Sequence, residues 1–115
     1  MGDIQELKDK VEKFCTDRDW DQFHSPKDLA IGVITESSEL LQHFRFKNDA
    51  EMKQILKDKR AEIGEELADI MFFILRFAQM YDFDLKSEIE KKIAKNEQRL
   101  PIDKSKGKNR KYDED

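Results

Sequence analysis

The chain has a single cysteine, Cys15, so an intrachain disulfide and a zinc site built on thiolates are both excluded. On an apolar helical face, that thiol reads as a small core residue rather than a nucleophile. Two valines, two prolines and four glycines in 115 residues argue against a β-sandwich or a glycine-rich α/β fold. No apolar run approaches the roughly 18 residues of a membrane span. The charged start, MGDIQELKDKVEKF, lacks the apolar stretch of a signal peptide, so the expectation is a soluble, cytoplasmic protein with no membrane partner. Positive charge is not in excess either. The net charge is −4 with a pI near 5.3, which disfavours a partner that is a nucleic-acid polymer.

What the chain does have is helical amphipathicity in one domain's length. Leu, Ile, Val and Phe make up about a quarter of the residues, above the roughly 20% below which charged chains stay disordered. With 42% charged residues, the core must be thin and each helix must keep one wet face. Ile4, Leu7, Val11, Phe14 and Cys15 predict a helix over about residues 3–17. Ser25-Pro26-Lys27-Asp28 supplies a cap, a first-turn proline and an acid for a second helix. On that helix Leu29, Val33, Ile34, Ser37, Leu40, Leu41 and Phe44 fall within about 140°, a face expected to be buried. Met52, Ile55 and Leu56 suggest a short helical piece. A long, very apolar helix follows over about 61–81, then a last one that Asp84 can cap and Pro101 ends. The fold class is therefore all-α, a four-helix bundle with a minor helical piece. It comprises a domain over 1–101 and a charged tail over 102–115 whose composition alone would leave it disordered.

Chemistry has one conspicuous place to sit. Glu62, Glu66, Asp69 and Phe73 form a stripe about 60° wide along the long helix, beside its apolar arc. Glu36, Glu39 and His43 form a similar stripe on the second helix. A chain with 26 acids yields E-x-x-E by chance, and most such pairs are solvated. Packing these two apolar faces together, however, sets the acid pairs opposite each other. Two carboxylates about 4 Å apart repel by about 4 kcal/mol at an effective dielectric near 20, so the cluster calls for protons or a cation. Carboxylates without paired His or Cys suit a hard ion, Mg²⁺ or Mn²⁺, which commonly bridges protein to phosphates. A di-iron bundle would need E-x-x-H on two helices, and neither His24 nor His43 follows a Glu by three. Trp20, Phe23 and His24 lie in a non-helical segment, free to stack on a base or simply to plug the bundle. Lys92, Asn96 and Arg99 share a stripe on the last helix that can meet phosphate or sugar oxygens, or only water.

The run RDWDQFHSPKDLAIGVITESSEL, then EELADIMFFIL, then KIAKNEQRLP resembles the MazG-like all-α nucleoside triphosphate pyrophosphohydrolases, in particular the small branch acting on dCTP and related deoxynucleotides. The resemblance spans about residues 14–101. It implies Mg²⁺ held by Glu36, Glu39, Glu66 and Asp69, Lys92 and Asn96 against the nucleotide, and Trp20 and His24 lining a base and sugar pocket. Phe46 stands where the branch usually has Trp, and Phe73 where it often has Tyr, so stacking is kept while one hydroxyl is lost. The implied activity is hydrolysis of the α–β phosphoanhydride of a (deoxy)nucleoside triphosphate to monophosphate and pyrophosphate. The implied assembly is a homodimer or dimer of dimers, in keeping with so apolar a long helix. The competing reading is a non-catalytic helical interaction module whose acids only confer solubility.

Overall fold

A computed structural model of the chain describes residues 2–109. It contains α1 (Asp3–Asp17), a 3₁₀ turn (Asp21–Phe23), α2 (Pro26–Gln42), α3 (Asp49–Asp58), α4 (Arg60–Met80), α5 (Leu85–Arg99) and α6 (Ile102–Ser105). No strand occurs among the described residues. The all-α expectation holds. Within the expected tail, Ile102–Ser105 adds one helical turn after Pro101, while residues 110–115 lie outside the described part. The chain divides into two compact units between Asp82 and Phe83.

In the first unit the helix starts are chemically specified. Ser25 accepts from the Asp28 amide at 3.1 Å and donates its hydroxyl to Asp28 Oδ2 at 2.7 Å, with Pro26 at the first helical position. That donated bond holds the Asp28 carboxyl below its ordinary range. Asn48 and Glu51 satisfy each other's orphan amides in a reciprocal capping box at the start of α3. The helix α4 is the spine, packed most extensively on α2, then on α1, and lightly on α3. Buried Val11 and Cys15 of α1, Leu29 of α2 and Ile63, Leu75 and Ala78 of α4 form the core. Burial raises the pKa of the Cys15 thiol, as expected for an inert core cysteine.

The face expected to be buried on α2 is only partly so. Leu29 is enclosed, but Ile34 is 70% and Leu41 56% exposed, because an arc of about 140° is wider than one neighbouring helix covers. Leu67 and Met71 of α4 are exposed as well. No helix among the described residues is long and apolar enough to cross a membrane.

In the second unit, Asp84 caps α5 through the Ser87 amide at 3.1 Å, as its sequence position predicts. Ile89 and Ile93 of α5 are exposed.

Candidate active site

The packing of α2 on α4 brings the two acid pairs together. The Glu36 carboxyl is pushed above its ordinary range first by burial, then by a hydrogen bond with Glu39, then by the charges of Glu39, Asp69 and Glu66. Glu39, Glu66 and Asp69, the other three acids singled out by spacing, are thus all within electrostatic reach of Glu36. Glu66 reaches toward His43 at the end of α2, Nε2 to Oε2 2.6 Å, with both side chains 18% exposed. The contact is close without being aligned, and Glu66 Oε2 is buried with no hydrogen bond of its own. Glu62, the outer member of the α4 stripe, instead meets Lys59 on the surface at 3.7 Å. Among the described residues, no three His, Cys, Asp or Glu side chains stand in a finished coordination set.

Beside the acids runs an open groove of about 620 Å³ with α1 on one wall and Glu36, Asp69, Phe72 and Phe73 on the other. Trp20 lines it, together with Leu7, Lys10, Val11 and Phe14. The rings interlock edge to face: Phe14 meets Trp20 at 5.5 Å and Phe72 at 5.9 Å, and Phe72 meets Phe73 at 5.7 Å. Phe73 can approach α2 because residue 32 is glycine. A Cβ there would stand 2.5 Å from Phe73 Cδ1. The cationic Lys10 gave no sequence signal, since it lies in a uniformly charged stretch of α1.

His24 is not among the residues lining this groove. It sits behind Trp20, with ring centroids 6.0 Å apart, and its Nδ1 accepts from Arg76 Nε at 2.9 Å. Phe46 follows α2 in the left-handed backbone region at φ 65°, is 89% exposed, and carries the Arg45 guanidinium 4.6 Å above its ring. A bulky residue at positive φ is strained, and such strain gathers at functional positions. Lys92 and Asn96 lie exposed on α5, in the second unit.

A cluster of hard carboxylate donors beside an aromatic groove can hold a hard cation against phosphates while rings stack on a base. Residues 32–114 match the model of the MazG-like family. The chain belongs to that family. This MazG-like chain is 33% identical to rat dCTP pyrophosphatase 1 over 111 residues and 29% identical to the human protein over 113. Those matches take in 95% and 96% of the chain but 65% and 66% of the relatives, so it spans just under two thirds of their length. A pyrophosphatase from Archaeoglobus fulgidus superposes with a TM-score of 0.83 at 28% identity, covering 88% of this chain and 94% of that one.

Proposed function

We propose that this MazG-like chain hydrolyses (deoxy)nucleoside triphosphates, dCTP-like ones among them, at the α–β bond, with one Mg²⁺-binding centre formed by Glu36, Glu39, Glu66 and Asp69. The observation that carries it is the juxtaposition of two acid pairs across α2 and α4 with a groove walled by Trp20 and Phe73. The relatives named for dCTP and pyrophosphate chemistry support the same reading. The buried, unsatisfied Glu66 Oε2 and the all-oxygen donor set fit a hard cation, Mg²⁺ with Mn²⁺ as a substitute, and the Glu39 and Asp69 side chains are exposed beside it. A cation there supplies neutralisation of the triphosphate charge.

The chain's own groups do the rest. Trp20 and Phe73, with Phe46 from the end of α2, stack on or enclose the base. Lys10 faces into the same groove, where an ammonium can meet a phosphate oxygen. One of the four carboxylates assists as base, taking the proton from the attacking water. One water is consumed and one P–O–P bond broken, leaving monophosphate and pyrophosphate. Lys92 and Asn96 are assigned to nucleotide contact, within a catalytic domain over 1–101 that the charged tail 102–115 follows. Exposed Ile34 and Leu41 on α2, with Leu67 and Met71 on α4, are a face for a second copy, giving a homodimer or dimer of dimers in the cytoplasm.

The same exposed face is what a non-catalytic interaction module would show, so products decide. Purified chain with Mg²⁺ and the common NTPs and dNTPs, resolved by ion-exchange chromatography, is expected to release monophosphate and pyrophosphate in equal amounts. Nucleoside diphosphate with orthophosphate, or no turnover with either metal, overturns the proposal.

A further inference from the structure

Among the described residues, the one charged side chain that is fully buried lies outside the groove. Arg76, 0% exposed, sits on α4 between core residues Leu75 and Ala78. A guanidinium in that position forfeits its hydration and is retained only where each of its nitrogens finds an acceptor, because an apolar side chain of similar volume would fill the space at less cost. Its donors point in three directions. Nε donates to His24 Nδ1 at 2.9 Å, one terminal nitrogen to Gln79 Oε1 at 2.6 Å, and the other to Asp21 Oδ1. Gln79 in turn donates to Glu12 of α1 at 2.6 Å. One residue thereby ties α4 to the segment between α1 and α2.

That segment has little else to hold it. The 3₁₀ turn buries none of its residues, and Phe23 is exposed. Its other ties include the Asp19 amide on Thr16 O and the Trp20 amide on Cys15 O, both at 3.0 Å, and the Tyr81 hydroxyl on the His24 carbonyl at 2.7 Å. Trp20 stands between Phe14 on one side and His24 on the other, so the orientation of the imidazole sets one boundary of the indole. Because Nδ1 accepts, the ring proton of neutral His24 is on Nε2, and the imidazole cannot flip without losing Arg76. Only a planar fork serves three acceptors in fixed directions, which lysine does not.

We propose that Arg76 is a positioning residue that sets the Trp20 wall of the groove through His24 and Asp21, without itself touching the nucleotide. For its effect on turnover this rests on the nucleotide reading above; for its effect on Trp20 it does not. Trp20 is the sole tryptophan, so its emission reports the wall directly. In the full-length chain Arg76→Met is expected to shift Trp20 emission, raise acrylamide quenching at least twofold, and raise KM for every accepted nucleotide about five- to tenfold, the loss of part of a stacking contact, with kcat within about twofold. Asp21→Asn, which keeps an oxygen acceptor for Arg76 and removes only the charge, is expected to move emission and KM in the same direction by less. If Arg76→Met does not fold, Asp21→Asn and His24→Gln decide by the same readings. A folded variant that loses only thermal stability, with Trp20 emission, quenching and KM all unchanged, overturns the proposal. Altered emission with no nucleotide hydrolysis even in the unmodified chain would uphold the positioning and refute the nucleotide reading instead.

Discussion

Gly32→Ala tests whether the groove wall depends on the contact between α2 and Phe73. The added carbon would lie 2.5 Å from Cδ1, 2.6 Å from Cε1 and 2.8 Å from Cγ of the ring. Carbon atoms rest near 3.5–4.0 Å, so the ring must withdraw by about 1 Å or turn into the groove. Overpacking of this kind costs about 1–3 kcal/mol, while replacing a mid-helix glycine with alanine returns about 1 kcal/mol. The net expectation is a loss near 1 kcal/mol, a drop in Tm of about 4–8 °C for a unit of this size. KM should rise for every accepted nucleotide, because Phe73 faces the groove beside Asp69. The decisive measurement is the double-mutant cycle with Phe73→Ala. Once the ring is gone, Gly32→Ala should become neutral or stabilising by up to about 1 kcal/mol, so the two changes are not additive. Should Gly32→Ala raise Tm and leave KM unaltered in the chain that keeps Phe73, the ring is not pinned and the wall does not depend on residue 32.

Three further outcomes are expected. Glu39→Gln or Asp69→Asn should abolish Mg²⁺-dependent turnover while Tm without metal is kept or raised, since each removes one like charge from the cluster around Glu36; near-normal turnover in either variant would show that the ligands are elsewhere. Phe46→Gly should raise Tm in the free protein by relieving a positive φ, a gain of about 1 kcal/mol, yet weaken nucleotide binding; a loss of stability would mean that the ring packs rather than stacks on ligand. Burial and then the Arg76 guanidinium hold the His24 pKa below 6.5, against the opposing charges of Asp21 and Asp28. Above pH 6.5 the imidazole is neutral folded or unfolded and carries no pH dependence; as pH falls below 6.5 the unfolded chain takes up the proton first, and stability is lost down through the folded pKa. His24→Gln should remove that part of the acid slope in a series of thermal melts, and an unchanged slope would place its origin in other groups.

The helices were legible because their signals are local. Ser25-Pro26 and Asp84 begin the observed helices α2 and α5, and each works through its own backbone neighbours. The acid cluster was legible for a related reason. Glu36 with Glu39, and Glu66 with Asp69, share a face at i, i+3 whatever the tertiary structure, so only the pairing of two helices had to be supplied. Burial was less legible. Periodicity reports which residues prefer to leave water but not how wide a neighbour is, and so Ile34 and Leu41 kept a helical period and remained exposed.

Arg76 shows why the rest was hidden. Its partners His24 and Asp21 lie 52 and 55 positions away in sequence, and no short-range pattern links them. The one available trace was negative. Within IMFFILRFAQM, Arg76 is the only charged residue of an otherwise apolar or neutral stretch, and at about 100° per residue it continues the stripe of Glu62, Asp69 and Phe73 at the rim of the apolar arc. A cation on the wet face of such a helix would be ordinary. A cation at the rim of the arc that is nevertheless buried implies acceptors waiting there, because an unpaired buried guanidinium would cost more stability than a thin core of this size can offset. The short non-helical segment from Asp19 to His24, polar apart from Trp20 and Phe23 and carrying an acid and an imidazole, was the one stretch beside this core able to supply them.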